Sequence, residues 1–405
     1  MSGHWTDVAR SVGLLSADGV VSSTIFAEMS ALARRTGAIN LGQGFPDVDG
    51  PQHLKDVAVA AILSGENQYP PGPGTPELLH AVAAHQRRHY GLDVDPGTEV
   101  LVTAGATEAL AATILALTGP GDEVLTLEPY YDSYAAAIAL SGAAHRTIAL
   151  HPTADGFRLD TADVAAAFTP RTRLVLVNTP HNPTGTVLTR AELTVIAEAA
   201  VAHDAIVVTD EVYEHLTYDG AEHVPMATLP GMASRTVTIS SAGKTLSFTG
   251  WKVGWLHGPA ELVTAIRTVK QFLTYVASGP FQPAVAAGLA DEDGRTGQYV
   301  AALARSLQER RDLLSDALGA AGFKPVTPRG TYFVVADAAP LGYDDGVDLC
   351  RELPALAGVV GIPVTAFCTP GGPVADELRS FVRFTYVKET PTLEAAARGL
   401  ARLGR

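Results

Sequence analysis

Between residues 100 and 257, short apolar runs alternate with longer apolar or amphipathic stretches. The runs 100–103, 123–127, 174–178, 205–209, 236–240 and 254–257 have strand length and polar or Gly/Pro borders. The stretches 107–117, 133–141 and 190–202 are too long for strands and read as helices. Nearly continuous apolar strands separated by helices predict a mainly parallel sheet with both faces covered. In such sheets ligands bind at the carboxyl ends of the strands.

The flanks carry other patterns. Residues 1–45 read as an N-terminal arm, with Phe26, Met29 and Leu32 at helical spacing in a helix over 26–33. The segments 40–47 (NLGQGFPD) and 67–74 (NQYPPGPG) are punctuated by Gly and Pro and read as loops. From about residue 290 charges become frequent. A helix over 299–318, a strand over 331–336, a helix over 346–353, a segment at 381–387 and a final helix over 392–403 follow. The expected organisation is α/β: an arm over 1–45 that belongs partly to a small domain, a large doubly wound domain over 46–290, and a small α+β domain over 291–405. No internal repeat or low-complexity segment interrupts it.

Composition narrows the picture. At 405 residues the chain is longer than one core usually organises, and 47% hydrophobic against 18% charged residues provides for a large buried core. The net charge is −14, with no Lys/Arg-rich run, which argues against nucleic-acid or anionic-membrane partners. Two cysteines, Cys350 and Cys368, make no disulfide framework and no four-ligand metal site; buried thiols in a reducing cytoplasm are expected. The twelve histidines show no H-E-x-x-H or similar zinc pattern, so no metal is expected. The first residues lack the basic-then-apolar layout of a signal peptide, and no apolar run is long enough to span a bilayer.

The chemistry is concentrated after three successive strands. Asn182 follows the first in Asn182-Pro183-Thr184-Gly185, Asp210 ends the second in Asp210-Glu211-Val212-Tyr213, and Lys244 follows the third in Ser241-Ala242-Gly243-Lys244-Thr245. An amine nucleophile, an acid, a phenol and an amide in this order fit the handling of pyridoxal phosphate (PLP). Lys244, expected in a loop at a strand end, would form the Schiff base and later move the Cα proton; an isolated loop lysine is otherwise a solvated one. Asp210 would pair with the pyridine nitrogen, where a lone Asp at this boundary would cap a helix. Tyr213 and Asn182 would donate to the phenolic oxygen; a core phenol and a turn residue are the plainer readings.

For the phosphate, Ala104-Gly105-Ala106-Thr107 opens a helix with free N–H groups, and Ser241 and Lys252 add a hydroxyl and a charge. Tyr131, after Glu128-Pro129-Tyr130, would stack on the cofactor ring or simply pack in the core. Arg383 is a lone charge in Phe381-Val382-Arg383-Phe384-Thr385. A buried cation needs a partner, either a substrate α-carboxylate or a structural acid.

These motifs, with Thr249-Gly250-Trp251-Lys252-Val253-Gly254-Trp255, resemble fold-type I PLP enzymes of the class I/II aminotransferases from about Thr24 to the end. The 40–47, 128–132 and 241–255 segments are most similar to the branch holding kynurenine/glutamine and methionine aminotransferases. Segments 25–33, 67–74 and 209–216 add a likeness to the actinobacterial N-succinyldiaminopimelate aminotransferase type. The resemblance implies Lys244 as the Schiff-base lysine and Asp210 as the pyridinium partner, with Tyr213 and Asn182 on the phenolic oxygen. It implies Ala106, Thr107, Ser241 and Lys252 as the phosphate cup and Tyr131 as the stacking ring. Arg383 and Gly42 would bind the α-carboxylate, and Tyr69 would reach the neighbouring subunit's phosphate in a homodimer. Phe26 stands in the side-chain pocket, where some kynurenine-type relatives carry Trp.

The implied reaction is ping-pong amino transfer between an amino acid and a 2-oxo acid. The implied substrate is N-succinyl-L,L-2,6-diaminopimelate with glutamate/2-oxoglutarate, in lysine and diaminopimelate synthesis. A broad glutamine, methionine, aromatic or kynurenine aminotransferase, with β-lyase activity on cysteine conjugates, is the alternative. Arg34, Arg35 and Arg329 are the candidates for a distal carboxylate. A PLP-binding transcription regulator would need a basic helix-turn-helix ahead of the matching region, where about 24 residues stand. Decarboxylation, racemisation or oxidation on the same cofactor is the remaining expectation to weigh.

Overall fold

The computed structural model describes residues 4–15, 19–153 and 155–403. Met1 to Gly3, part of the stretch read above for a signal peptide, lie outside the described residues. In chain order the strands are β1 Ile39–Asn40, β2 Val100–Thr103, β3 Glu123–Glu128, β4 Ala144–Thr153, β5 Gly156–Leu159, β6 Thr172–Asn178, β7 Ile206–Asp210, β8 Thr236–Ser241, β9 Gly254–His257, β10 Lys324–Val326, β11 Phe333–Asp337, β12 Val359–Val360, β13 Ile362–Pro363 and β14 Phe381–Thr385.

Eight of them form one sheet in the order β2-β9-β8-β7-β6-β3-β4-β5. The inner pairs β3·β4, β3·β6, β6·β7 and β7·β8 are parallel. Every residue of β2, β3, β7, β8 and β9 is buried, as expected for strands covered on both faces. The sheet is mixed, because β9 runs antiparallel to both β2 and β8. The connection from Ser241 to Gly254 holds only the one-turn helix Ala242–Thr245 and a 3-10 turn. That is too little chain for a parallel crossover, so the strand returns antiparallel. The long β4 and β5 add an antiparallel hairpin at the far edge.

Helices Ala106–Leu117, Asp132–Ser141 and Ala260–Lys270 pack on one face, in a core with Leu110, Ile138, Leu174 and Ile266. Helix Arg190–Ala202 packs on the other; its capping box has Thr189 accepting from Glu192 N while Glu192 accepts from Thr189 N. Helix Pro76–Tyr90 starts on a Thr75 cap with proline at its first turn and stops at Gly91, whose φ of 68° is left-handed.

A second sheet, β10-β11-β14-β13, is antiparallel throughout. The helix Ile25–Thr36 joins this unit: Met29, Ala33 and Leu41 share one core with Leu314, Val334, Phe384 and Leu393. β1 pairs in parallel with β12, which fastens the arm to the C-terminal part of the chain. Among the described residues, no helix is long and apolar enough to cross a membrane.

Candidate active site

Three neighbouring parallel strands end at the same rim. β6 delivers Asn178, β7 delivers Asp210 and β8 delivers Ser241 into a cavity of about 400 Å³. The far wall comes from the second sheet and the arm, through Phe333, Arg383, Phe26 and Gln43.

Asp210 is buried in the cavity wall. Its Oδ2 accepts from the Tyr134 hydroxyl at 2.7 Å and its Oδ1 from Val212 N at 3.3 Å. Burial raises its carboxyl above the ordinary range, and the Tyr134 bond, Val212 N–H and Lys244 charge pull it back. The Asn178 amide donates to the Asp210 carbonyl at 2.8 Å, and its Oδ1 accepts from Asn182 N at 2.7 Å. One side chain thereby sets both the acid and the amide that follows the neighbouring strand.

Lys244 sits in the one-turn helix Ala242–Thr245, not in the loop expected from its sequence. The Gly254 pairing with Ser241 keeps this turn tight against the strand end. Its Nζ lies 5.6 Å from the Tyr213 ring centre and 5.7 Å from that of Tyr332. The two phenol rings meet edge to face at 5.3 Å. Burial, and then Tyr332, push the Tyr213 hydroxyl well above its ordinary pKa, so it stays a donor.

At one end of the cavity the helix Ala106–Leu117 points its N-terminus inward. Its cap residue Gly105 has φ 76° and no side chain to satisfy the first N–H groups. A Cβ on Gly105 would stand 3.1 Å from Lys252 Nζ, so that ammonium lies over the helix start. A Cβ on Gly254 would stand 2.5 Å from the Gly105 carbonyl carbon and 2.7 Å from Ala106 N. Two glycines therefore let strand and helix end close together. Thr107 and Ser241 line the same end, completing a donor set suited to an anion such as phosphate.

At the opposite end Arg383, 4% exposed, projects from β14. Its Nη1 donates to Asn182 Oδ1 at 2.9 Å and its Nη2 to the Gly42 carbonyl at 2.8 Å. Phe333 and Phe367 flank the guanidinium at 4.0 and 4.5 Å. Burial lowers its pKa to about 10, which leaves it charged at neutral pH. It has no salt-bridge partner among the described residues, and its buried Nε has no hydrogen-bond partner. A guanidinium held this way is built to receive a carboxylate.

Of the residues expected from sequence, Phe26, Ala106, Thr107, Tyr131, Asn182, Asp210, Tyr213, Ser241, Lys244, Lys252 and Arg383 line this cavity. Gly42 touches it through Arg383. Tyr69 does not: it is 79% exposed and rests edge-on against Tyr275 at 5.4 Å. Arg34 and Arg35 are exposed on the arm helix, and Arg329 donates to the Asp219 carbonyl outside the cavity. Both cysteines are buried and unpaired, and burial raises each thiol's pKa. Asn178, Tyr134, Phe333 and Phe367 were not anticipated. Tyr134 carried a signal, since it follows Tyr131 by one helical turn; Asn178 carried another as the last residue of its strand.

The chain matches the family model "Aminotransferase class I and II" over residues 36–400. It is 53% identical over 384 residues to a probable N-succinyldiaminopimelate aminotransferase of Mycobacterium tuberculosis, covering 94% of this chain and 96% of that one. It is 40% identical to the methionine aminotransferase of Escherichia coli, over 95% and 96% of the two chains. The solved structure of N-succinyldiaminopimelate aminotransferase from Mycobacterium tuberculosis superposes with a TM-score of 0.90 at 54% identity, over 94% of this chain and 97% of that one.

Proposed function

Because the chain belongs to the class I and II aminotransferases, we propose that its cavity holds pyridoxal phosphate and transfers an amino group between N-succinyl-L,L-2,6-diaminopimelate and 2-oxoglutarate, in lysine and diaminopimelate synthesis. The observation that carries the reading is Arg383, buried, charged and facing into the same cavity as Lys244. An amino acid docked by its α-carboxylate on that guanidinium presents its Cα toward the lysine.

The donor set fits the cofactor. The uncapped helix start, Thr107, Ser241 and Lys252 suit its phosphate; Asp210 suits a protonated ring nitrogen, whose charge would relieve a carboxylate strained by burial. Tyr213 and the Asn182 amide suit its phenolic oxygen, and Tyr131 suits the ring face. When bound, the cofactor supplies an aldehyde that condenses with amines and a ring that accepts electrons as the Cα proton leaves.

The chain's own residues do the rest. Lys244 Nζ would hold the cofactor between turnovers, then take the proton from the substrate Cα and deliver it across the imine nitrogen. Asp210 would pair with the protonated ring nitrogen and so stay ionised despite its burial. Arg383, its Nη2 anchored on the Gly42 carbonyl, holds the substrate carboxylate in register. Exposed Tyr69, Phe272 and Tyr275 favour a second copy of the chain against this face, with Tyr69 reaching the partner's phosphate cup in a homodimer. Two buried unpaired thiols suit a reducing cytoplasm.

A second reading is a broad aminotransferase for neutral or aromatic side chains, with β-lyase activity on cysteine conjugates. It is favoured by the lining itself. The cations facing the cavity are Lys244, Lys252 and Arg383, all with roles above, while Phe26, Phe45, Phe333 and Phe367 supply apolar rings. A half-reaction screen separates the two. The holoenzyme is mixed singly with N-succinyl-L,L-diaminopimelate, glutamate, glutamine, methionine, phenylalanine and kynurenine while the bound cofactor's absorbance is followed. Fast conversion by the succinylated substrate and glutamate alone is expected. Faster conversion by neutral or aromatic substrates overturns the first reading in favour of the second, and retained turnover in Lys244→Ala overturns both.

A further inference from the structure

Three clustered histidines stand outside the lining of the proposed active site and have no part in the chemistry proposed there. His85 and His89 stand one turn apart on the same face of helix Pro76–Tyr90, and His215 approaches them from the turn that follows β7. The three rings lie 4.5, 4.9 and 5.0 Å apart, centre to centre. One ring nitrogen from each lies within 4.8 Å of the other two. From this geometry we infer that His85, His89 and His215 form a binding site for a divalent transition ion of the zinc class, held by three imidazoles with solvent as the fourth ligand.

The spacing supports it. A tetrahedral ion with bonds of about 2.0–2.1 Å sets its nitrogen ligands about 3.3 Å apart. His85 Nε2 and His215 Nε2 stand at 2.8 Å, sharing one proton. Spreading that pair by about half an ångström and turning His89 inward closes the site. His85 is buried, His215 half-buried and His89 exposed, so the fourth position opens to water and the ion has an entry path.

The surroundings favour uncharged rings. Burial lowers the pKa of His85 to about 3, and burial first also lowers those of His89 and His215. At neutral pH all three carry lone pairs, as metal ligation requires. Glu214 Oε2, 3.9 Å from His215 Nε2, supplies a nearby negative charge. Arg88 is the opposing cation. Two of its nitrogens are drawn off to the Leu289 and Ala290 carbonyls, and its Nε touches His89 Nε2 at 3.4 Å, the contact that opens when the ion enters.

A second, independent observation is the neighbour Gln86, 1% exposed. Its Oε1 is buried without a hydrogen-bond partner, while its Nε2 stands 3.4 Å from His85 Nδ1. The two ends of an amide are assigned by their partners. Turned over, Gln86 presents Oε1 to His85 Nδ1–H and leaves the His85 lone pair on Nε2, the atom that faces His215. This is the carbonyl-to-imidazole support that metal-bound histidines use. On binding, the proton His215 holds on Nε2 moves to its Nδ1, so both rings stay neutral. The ion would staple helix Pro76–Tyr90 to the turn carrying Tyr213.

The test is titration of the holoenzyme with Zn2+ by calorimetry, and with Co2+ by visible spectroscopy. One ion per chain is expected, with the ligand-field bands of four-coordinate Co2+. His89→Gln changes an exposed side chain and should weaken Zn2+ at least tenfold, remove the Co2+ bands and leave basal turnover unchanged; His215→Gln should do the same to binding. No saturable binding to the wild type, or equal affinity in both variants, overturns the site.

Discussion

Arg383 and Asn182, 201 residues apart in sequence, are joined in the cavity by a 2.9 Å bond from Nη1 to Oδ1. The pair ties the second sheet to the end of β6. It also turns the asparagine's oxygen toward the arginine, which leaves the amide's donor end for an acceptor in the cavity. A lysine at 383 would keep the charge and lose the fork that grips Asn182, Gly42 and a carboxylate at once. Arg383→Lys is expected to lower kcat/KM for amino and oxo acids alike by about 1.5–3 kcal/mol, roughly 10- to 150-fold, with cofactor affinity unchanged. Steady-state kinetics with the best donor and acceptor check this, and an unaltered kcat/KM for both would move the carboxylate site elsewhere.

Gly254 is held to its identity by the helix start it touches. A Cβ there falls 2.5 Å from the Gly105 carbonyl carbon, a backbone atom with nowhere to go. Gly254→Ala should push β9 away from residues 105 and 106 and spread the anion end of the cavity. Overpacking of this kind costs about 1–3 kcal/mol. The expected outcome is a lower Tm and faster loss of cofactor on dialysis, while a variant with wild-type retention would show that the close approach does not shape the cup.

Much of this arrangement was legible in local pattern. Strands β2 and β9 and helix Arg190–Ala202 fall where alternation and apolar runs put them, and the motif residues lie at strand ends. What escaped has identifiable reasons. Helices Gln52–Ser64, Pro76–Tyr90, Ala260–Lys270 and Gln282–Ala290 went unread, although Pro76 and Pro283 mark helix starts in two of them. The antiparallel direction of β9 follows from connection length, which strand composition does not carry. Phe333 and Phe367 carry no sequence mark of their place, because only the fold sets the Arg383 guanidinium against both rings. In the histidine cluster His85 and His89 are a helical pair visible in sequence, while His215 joins them from 130 residues away and only the fold shows it.

Tyr134 governs Asp210. Its hydroxyl bond at 2.7 Å is the foremost of the contacts that offset the effect of burial on that carboxyl. Tyr134→Phe removes the bond and keeps the ring, so the Asp210 pKa should climb further. A carboxylate needed in its charged form is lost below its pKa. The acidic limb of kcat/KM against pH should therefore move to higher pH, with the alkaline limb in place. An acidic limb that stays put in the variant would mean that another group sets it.

His151 gives the fold a pH-dependent fastening of the opposite sign. Its Nε2 meets Asp163 at 3.0 Å and its Nδ1 meets Glu377 at 2.9 Å, so β4 is linked to helices Thr161–Ala167 and Pro373–Glu377. With acceptors on both nitrogens the ring is held as the cation, and the Asp163 bond first, then Glu377, raises its pKa above 6.5. A folded-state pKa above the unfolded one means that the native protein binds the proton more tightly. The stabilisation is fully present below the unfolded value and is lost as pH rises through the folded one. The ring is 41% exposed, so solvent screens the pairs and the effect should be modest and weaker in salt. Urea unfolding of the wild type and His151→Gln across about pH 5 to 9 checks this. The stability difference should be largest at the acid end and vanish at the alkaline end, and a difference independent of pH would show that the histidine acts through packing alone.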